Sequence, residues 1–228
     1  MEQVDCENVE IYRSILDSAK TNMYVLPCGR DVVVFDPHPD SSVAAYIAGY
    51  DPRIVWILLT HEHPDHTLGI PWLRKLFECR LVCQRNCAVR IAKESNNRPL
   101  IIVMCLAEYD KKYGTHRKEE FIKWFRPYVC HADNVFDVEY SLEVGSRRFE
   151  FVSAPGHSPG GCLIKMDDKC MFTGDNLILN TPPILRFPGS NQRDFTEITQ
   201  RHLDAIPDDM LVLPGHGESF LMGDCRNC

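Results

Sequence analysis

Short runs of apolar residues alternate with stretches in which apolar residues recur every three or four positions. The runs predict buried strands, and the wider spacing predicts amphipathic helices. Cys28-Gly29-Arg30 separates two runs and predicts a hairpin, whereas Asp40 and Ser41 can cap the helix that follows. The predicted strands are 23–27, 31–36, 54–60, 80–83, 148–152, 162–165, 170–172 and 210–213, and the predicted helices are 41–48, 69–78, 86–94, 118–125 and 196–205.

This alternation of strands and helices predicts a single α/β domain over residues 1–228. A hydrophobic fraction of 44% over 228 residues is enough to bury one core. Residues 97–140 fit the alternation less well. The spacing of Phe121, Trp124 and Phe125 predicts a helical insertion there, which either covers a site or serves packing only.

Charge and hydropathy limit the partners and the location. The net charge of −7 disfavours a nucleic-acid partner, although a local basic patch remains compatible with it. Apolar runs fall well short of the roughly 18 residues that a membrane helix needs. The first seven residues are polar and acidic, unlike the start of a signal peptide, so we expect a cytoplasmic protein with a small-molecule substrate and no membrane partner. The oligomeric state has no sequence signal.

The eleven cysteines have two possible explanations, a secreted disulfide framework or reduced thiols in a cytosolic protein. The second fits better, because the chain has neither an export signal nor the small, core-poor character of disulfide scaffolds. Cys105, Cys162 and Cys170 lie among apolar residues, and we expect them to be buried.

Three histidines and two carboxylates stand within residues 61–66, directly after an apolar run. Imidazole and carboxylate groups are common metal ligands. In an extended loop His61 and His63, two positions apart, can point the same way and bind one ion. Asp65 and His66 follow a proline that restrains the turn, and they can face a neighbouring ion.

Three later segments carry further candidate ligands, each after a predicted strand. They contribute His157, Asp175 and His216, in turn-rich sequence with several glycines. The total of five histidines and two aspartates is enough for two metal ions. Imidazole and carboxylate without thiolate suit zinc, iron or manganese. Any one of these residues alone would be a turn former or a structural histidine; the joint pattern argues against that. We interpret His38, His116, His131 and His202 as structural, with His38 the nearest of them to the site.

With these motifs the chain resembles the metallo-β-lactamase superfamily. The resemblance rests on Thr-His-Glu-His-Pro-Asp-His at 60–66, Pro-Gly-His-Ser-Pro-Gly at 155–160, Phe-Thr-Gly-Asp at 172–175 and Leu-Pro-Gly-His-Gly at 213–217. Gly69 and the run 32–37, which ends in Asp-Pro, add to it. The resemblance implies an αββα four-layer sandwich with a dinuclear metal site at one edge.

By motif position, the resemblance implies that His61, His63 and His157 bind the first metal ion. It implies that Asp65, His66 and His216 bind the second ion and that Asp175 bridges the two. Two divalent metal ions are therefore expected, with zinc favoured over iron or manganese. The commonest zinc β-lactamases have cysteine where this chain has Asp175, which disfavours antibiotic hydrolysis. An aspartate there is similar to the glyoxalase II, lactonase and RNase Z branches.

The activity that this implies is hydrolysis of a thioester, ester or lactone of a small molecule. Two divalent ions that share a water lower its pKa from about 15.7 toward neutrality. The metal-bridging hydroxide then attacks the carbonyl, and Asp65 orients it. Glyoxalase II-like enzymes carry a C-terminal helical extension that helps bind glutathione, and only twelve residues follow His216, which disfavours a glutathione thioester.

Three other interpretations stay open. A mononuclear iron persulfide dioxygenase has the same motifs and uses positions of the His61, His157 and Asp175 type for one iron. A phosphodiesterase or nuclease is less favoured because of the acidic balance. A binding protein on a degenerate site is disfavoured because all seven ligand positions are intact. In the loop 177–193, Arg186 and Arg193 are candidates for binding an anionic substrate and Phe187 for an apolar wall; surface charge and plain packing explain them equally well.

Overall fold

A computed structural model describes residues 1–226, the side chains of Ile101 and Trp124 excepted. Its first sheet is mixed, with the strands in chain order from β1 to β7. The pairs from β1 to β4 are antiparallel and the pairs from β4 to β7 are parallel. The strands are β1 Glu2–Val4, β2 Ile11–Leu16, β3 Thr21–Cys28, β4 Asp31–Phe35, β5 Val55–Leu58, β6 Cys79–Gln84 and β7 Asn134–Phe136.

The second sheet has six strands in the order β13-β12-β11-β10-β9-β8. All neighbours are antiparallel except β11 and β12, which run parallel. The predicted last strand is therefore followed by one more, β13. The strands are β8 Glu139–Val144, β9 Arg147–Ser153, β10 Cys162–Met166, β11 Cys170–Gly174, β12 Leu211–Pro214 and β13 Phe220–Leu221.

The two sheets pack face to face through alternate residues of their strands. In β4, Val33 and Phe35 belong to the core between the sheets, whereas Val32 and Val34 belong to the core under the helices. This alternation is the period of two that a strand imposes on its side chains. The Phe35 ring stacks on Phe172 of the second sheet, with the centroids 3.6 Å apart. A strand buried on both faces explains the uninterrupted apolar run at 32–35.

Helices cover the outer face of each sheet. Ile47 and Leu73 pack on the first sheet and Leu203 packs on the second. The layers are thus helix, sheet, sheet and helix, and the expected αββα four-layer sandwich is confirmed. The helices are α1 Ser41–Tyr50, α2 Pro64–Thr67, α3 Ile70–Leu76, α4 Arg85–Ile91, α5 Leu100–Tyr113, α6 Arg117–Trp124, α7 Gln192–Asp194, α8 Gln200–Asp204 and α9 Met222–Arg226.

The segment 97–140 is helical only in its first part. Helices α5 and α6 pack on each other through Ile102, Leu106 and Phe121, and Leu68 belongs to the same cluster. Residues 134–136 form the edge strand β7, and β8 begins at Glu139. The last part of this segment therefore completes the two sheets and is not part of a helical insertion.

Two further expectations need correction. The predicted helix 196–205 begins earlier, at Gln192, where Asn191 accepts hydrogen bonds from two backbone N–H groups, and it contains a π-helical turn at Phe195–Thr199. Cys162 and Cys170 are buried as expected, but Cys105 is exposed. The prediction for Cys105 was wrong because Ile102 and Leu106 take the buried face of α5, while neighbouring Met104 is 66% exposed.

Candidate metal centre

The seven candidate ligands follow the ends of four strands, β5 in the first sheet and three strands of the second. Residues 61–66 follow β5, His157 follows β9, Asp175 follows β11 and His216 follows β12. Gly174 allows a close approach at this edge, because an added Cβ there would lie 2.4 Å from Thr60 Oγ1. Rigid strands thus bring together side chains that are far apart in the sequence.

His61, His63 and His157 form a first cluster of ring nitrogens. The Nε2 atoms of His61 and His157 each lie 3.0 Å from Nδ1 of His63. A carboxylate oxygen of Asp175 and one nitrogen from each histidine lie within 4.8 Å of one another. Burial lowers the pKa of His61 well below its ordinary value and that of His63 to about 4. Both imidazoles are therefore neutral at pH 7, as metal ligation requires.

Hydrogen bonds on the far side of the rings fix where the protons lie. Thr60 Oγ1 donates to Asp36 and therefore accepts from Nδ1 of His61, 3.0 Å away. Nδ1 of His157 lies 2.8 Å from the carbonyl oxygen of Ile184, which can only accept. The Nε2 atoms of His61 and His157 thus carry lone pairs that both point at His63. One proton on His63 can satisfy only one of them, so the cluster fits a cation.

Asp65, His66 and His216 form a second cluster with the same property. Asp65 Oδ2 lies 3.5 Å from the Nε2 atoms of both His66 and His216. Nδ1 of His216 lies 3.0 Å from the carbonyl oxygen of Lys20, so its proton is on Nδ1 when the ring is neutral. The lone pairs of the two rings then face carboxylate oxygens. Neutral ring nitrogens that face carboxylate oxygens have no hydrogen-bond donor between them, so a cation fits between these atoms as well.

The carboxylates of the second cluster favour positive charge on its two histidines. Burial opposes protonation of His216, but the carboxylates of Asp175 and Asp65 raise its pKa to about 10. Burial likewise opposes a charge on His66, yet nearby carboxylates, Asp65 first, raise its pKa well above the ordinary value. Without a metal ion, protons on these rings balance the carboxylates. A divalent cation bound at the same atoms would replace those protons.

Asp175 lies between the two clusters. Its Oδ2 atom is 3.6 Å from Nε2 of His157 and 3.4 Å from Nε2 of His216. Its Oδ1 atom and Nε2 of His66 are 3.3 Å apart, both are buried, and neither has a hydrogen-bond partner. Buried polar atoms of this kind are costly unless something binds them. The donor set and these two unpartnered atoms therefore fit a pair of divalent metal ions.

Asp36 is a component of the site that we did not single out from the sequence. Its Oδ2 atom lies 2.9 Å from Nδ1 of His66, and its Oδ1 atom accepts from the backbone N–H of Thr60. The residue stands at the end of β4 with a positive φ of 47°. The available signal was the Asp-Pro pair that ends the run 32–37, but the sequence alone did not show that this side chain reaches His66.

The candidate substrate residues divide into two groups. The Phe187 ring is edge-on to His63, with centroids 5.6 Å apart, and the Arg186 guanidinium lies 5.8 Å from the Phe187 centroid. Arg193 instead pairs with Glu197 on the same helix, 3.0 Å away, and its side chain is 80% exposed. The structure thus places Phe187 beside the first cluster and Arg186 near the Phe187 ring, whereas Arg193 pairs with Glu197. His38 is buried, with Nε2 3.3 Å from the carbonyl oxygen of Ser14, which agrees with a structural role.

The sequence matches the model of the metallo-beta-lactamase superfamily over residues 19–216. The chain belongs to this superfamily. The resemblance inferred from the four motifs is thereby confirmed. Within residues 1–226, no helix of this superfamily member is both long enough and apolar enough to span a bilayer.

Two curated relatives show the level of similarity within the superfamily. The chain is 27% identical over 214 residues to "Probable metallo-hydrolase M6_Spy0554" of Streptococcus pyogenes serotype M6, covering 92% of this chain and 85% of that protein. It is 23% identical over 197 residues to hydroxyacylglutathione hydrolase GloC of Haemophilus influenzae, covering 85% and 84%. Both relatives are named as hydrolases.

Solved structures of the same fold superpose over nearly the whole chain. The BLEG-1 B3 metallo-beta-lactamase gives a TM-score of 0.74 at 23% identity, covering 96% of this chain and 97% of that one. ETHE1 from Myxococcus xanthus gives a TM-score of 0.68 at 19% identity, covering 94% and 80%. At these identities the likeness establishes the shared fold.

Proposed function

We propose that this superfamily member is a dinuclear metal-dependent hydrolase that cleaves a thioester, ester or lactone of a small molecule. The observation that carries the proposal is the convergence of seven acceptor side chains in two adjacent clusters, with Asp175 between them. Two separate sets of facing lone pairs fit two ions better than one. The relative named hydroxyacylglutathione hydrolase supports acyl transfer to water as the type of reaction.

In this proposal, His61, His63 and His157 hold one ion, Asp65, His66 and His216 hold the second, and Asp175 contacts both. The donor set contains imidazole and carboxylate without thiolate, and we propose zinc, with iron and manganese as alternatives. Divalent ions bound there would polarise a substrate carbonyl and lower the pKa of a shared water.

The residues around the clusters have roles of their own. Asp65 accepts a hydrogen bond from Thr21 Oγ1 at 2.8 Å, which fixes the orientation of its carboxylate. We propose that this carboxylate orients the attacking water. Phe187 excludes water from the side of His63 and His157, and Arg186 binds an anionic group of the substrate. The net charge of −7 supports a small-molecule substrate over a nucleic acid.

The alternative is a mononuclear iron enzyme that acts with oxygen on a sulfur substrate. It would need only His61, His157 and Asp175, which all belong to the first cluster. The second cluster, in which Asp65 Oδ2 lies 3.5 Å from ring nitrogens of both His66 and His216, would then have no function. This is why we place the hydrolase first.

Elemental analysis of the purified protein, counted as metal ions per chain, tests the proposal. About two ions per chain, together with turnover on a panel of thioesters, esters and lactones, would support the hydrolase. One iron per chain with oxygen consumption on a persulfide would replace it with the alternative. A protein that binds no metal and hydrolyses none of the panel would refute both.

A further inference from the structure

Glu62 is a buried carboxylate between His61 and His63, and it is not among the candidate ligands. Its side chain is 2% exposed. The Oε2 atom accepts hydrogen bonds from Ser158 Oγ and from the backbone N–H of Gly160, both at 3.1 Å. Burying a carboxylate is unfavourable unless opposite charge and hydrogen bonds compensate it. The hydrogen bonds from Ser158 and Gly160 supply part of that compensation.

The donors that compensate Glu62 come from the loop that carries His157. Ser158 is the next residue in the chain, and Gly160 follows two positions later. The carboxylate therefore joins the loop of His61 and His63 to the loop of His157. These two loops supply the three rings of the first cluster, and His157 lies 94 residues after His63 in the sequence.

Gly160 allows this connection. A Cβ at that position would lie 2.4 Å from Glu62 Oε2 and 2.3 Å from the backbone nitrogen of Cys87. The backbone N–H can thus approach the carboxylate only because no side chain stands in the way.

Arg90 of α4 supplies the opposite charge. Its Nε atom lies 3.3 Å from Oε1 of Glu62. The main chain of Glu62 is also held, because its carbonyl oxygen accepts from Asn96 Nδ2 at 3.0 Å. Only the Glu62 side of this ion pair is buried, and desolvation of the carboxylate offsets much of the attraction, so the pair by itself contributes little to stability. Glu62 instead connects the loop of His61 and His63 to the loop of His157.

We propose that Glu62 is a positioning residue that sets His157 against His61 and His63, so that the first cluster is preorganised to bind its metal ion. Partners of the ligands commonly contribute tenfold to 100-fold to metal affinity. This inference rests on the metal assignment under Proposed function. In this proposal Glu62 touches neither the metal nor the substrate and acts through the loop of His157.

Titration of metal-free protein with Zn²⁺ against a chromophoric chelator tests the role. For Glu62→Gln we expect one of the two ions to bind about 10- to 100-fold more weakly and the other to keep its wild-type affinity. Ser158→Ala removes one donor and should weaken the same ion to a smaller extent. Glu94→Gln is the matched control, because Glu94 forms an exposed ion pair with Arg98 and should change neither affinity.

A double variant identifies which ion is affected. His157→Ala removes a ligand of the first cluster, and adding Glu62→Gln to it should leave the affinity for the remaining ion unchanged. A further loss in the double variant would show a general effect on folding and overturn the inference. Equal affinities for wild-type protein and Glu62→Gln would overturn it while leaving the proposed function intact. A wild-type protein that binds no Zn²⁺ would overturn both.

Discussion

The Oδ2 atom of Asp36 lies 2.9 Å from Nδ1 of His66, and both side chains are buried. This contact places the proton of a neutral His66 on Nδ1 and leaves Nε2 free to face Asp65 and Asp175. A carboxylate behind a metal-binding histidine also raises the basicity of the ring. Asp36 therefore supports the second cluster from outside, as Glu62 supports the first.

Asp36→Asn should weaken the second metal ion about 10- to 100-fold, because the amide removes the negative charge behind His66. The amide keeps the size of the side chain, so a change in packing should be small. The affinity for Zn²⁺ should be measured for each of the two ions separately. Asp168→Asn, whose carboxylate is 93% exposed, is the control. Unchanged affinity for both ions would contradict the role given to Asp36.

Asp175→Ala should abolish hydrolysis and reduce the metal content below two ions per chain. The reason is that its Oδ2 atom lies within 3.6 Å of a ring nitrogen in each cluster. Metal content by elemental analysis and turnover on the best substrate of the panel should be measured together. Full activity in this variant would refute the bridging position of Asp175.

Arg186→Gln should raise KM for anionic substrates by about tenfold while leaving the metal content at the wild-type value. A charge-assisted hydrogen bond contributes roughly 1.5–3 kcal/mol, which corresponds to a tenfold effect or more. A neutral substrate of the same acyl group should show no change. Arg201→Gln, on the exposed surface of α8, serves as the control. Equal losses on anionic and neutral substrates would show that Arg186 acts through the loop and not through its charge.

Asp40→Ala should destabilise the protein by about 1 kcal/mol near pH 7, because Asp40 caps α1 through the backbone N–H of Ser42. Burial works to raise the pKa of Asp40, but hydrogen bonds from Ser14 and Ser42 outweigh it and lower the pKa to about 2.

A folded-state pKa below the ordinary 3.8 gives a defined pH dependence. The stabilisation by Asp40 is complete above about pH 4 and is lost as the pH falls toward 2. In urea titrations, the difference in unfolding free energy between wild-type protein and Asp40→Ala should therefore be nearly constant from pH 6 to about pH 4 and shrink as the pH falls from 4 toward 2. A difference that stays constant, or a similar loss in the exposed Asp209→Ala, would contradict the cap.

The sequence predicted most of the strands because a strand buried on both faces appears as an uninterrupted apolar run, as at 32–35 and 55–58. It missed β1, β2, β7, β8 and β13. Strand β1 has only three residues, with two of them exposed, and β8 alternates exposed and buried positions only in part. Edge strands are decided by which neighbour they pair with, and that information is not local.

What the sequence determined by itself was the set of candidate ligands. His61, His63, Asp65 and His66 stand close together in the chain, and His157, Asp175 and His216 lie in glycine-rich turns after strands. Local spacing and turn chemistry were sufficient to select them. The family and the four-layer sandwich followed from the same motifs.

Only the tertiary structure decided which groups support and surround those ligands. Asp36 reaches His66 across 30 positions and Glu62 reaches Ser158 across 96, while Arg193, with the same charge as Arg186, pairs with Glu197. These contacts depend on how two sheets pack and where loops meet. Burial and hydrogen-bond partners arise from that packing, and the period of a single strand or helix does not contain them.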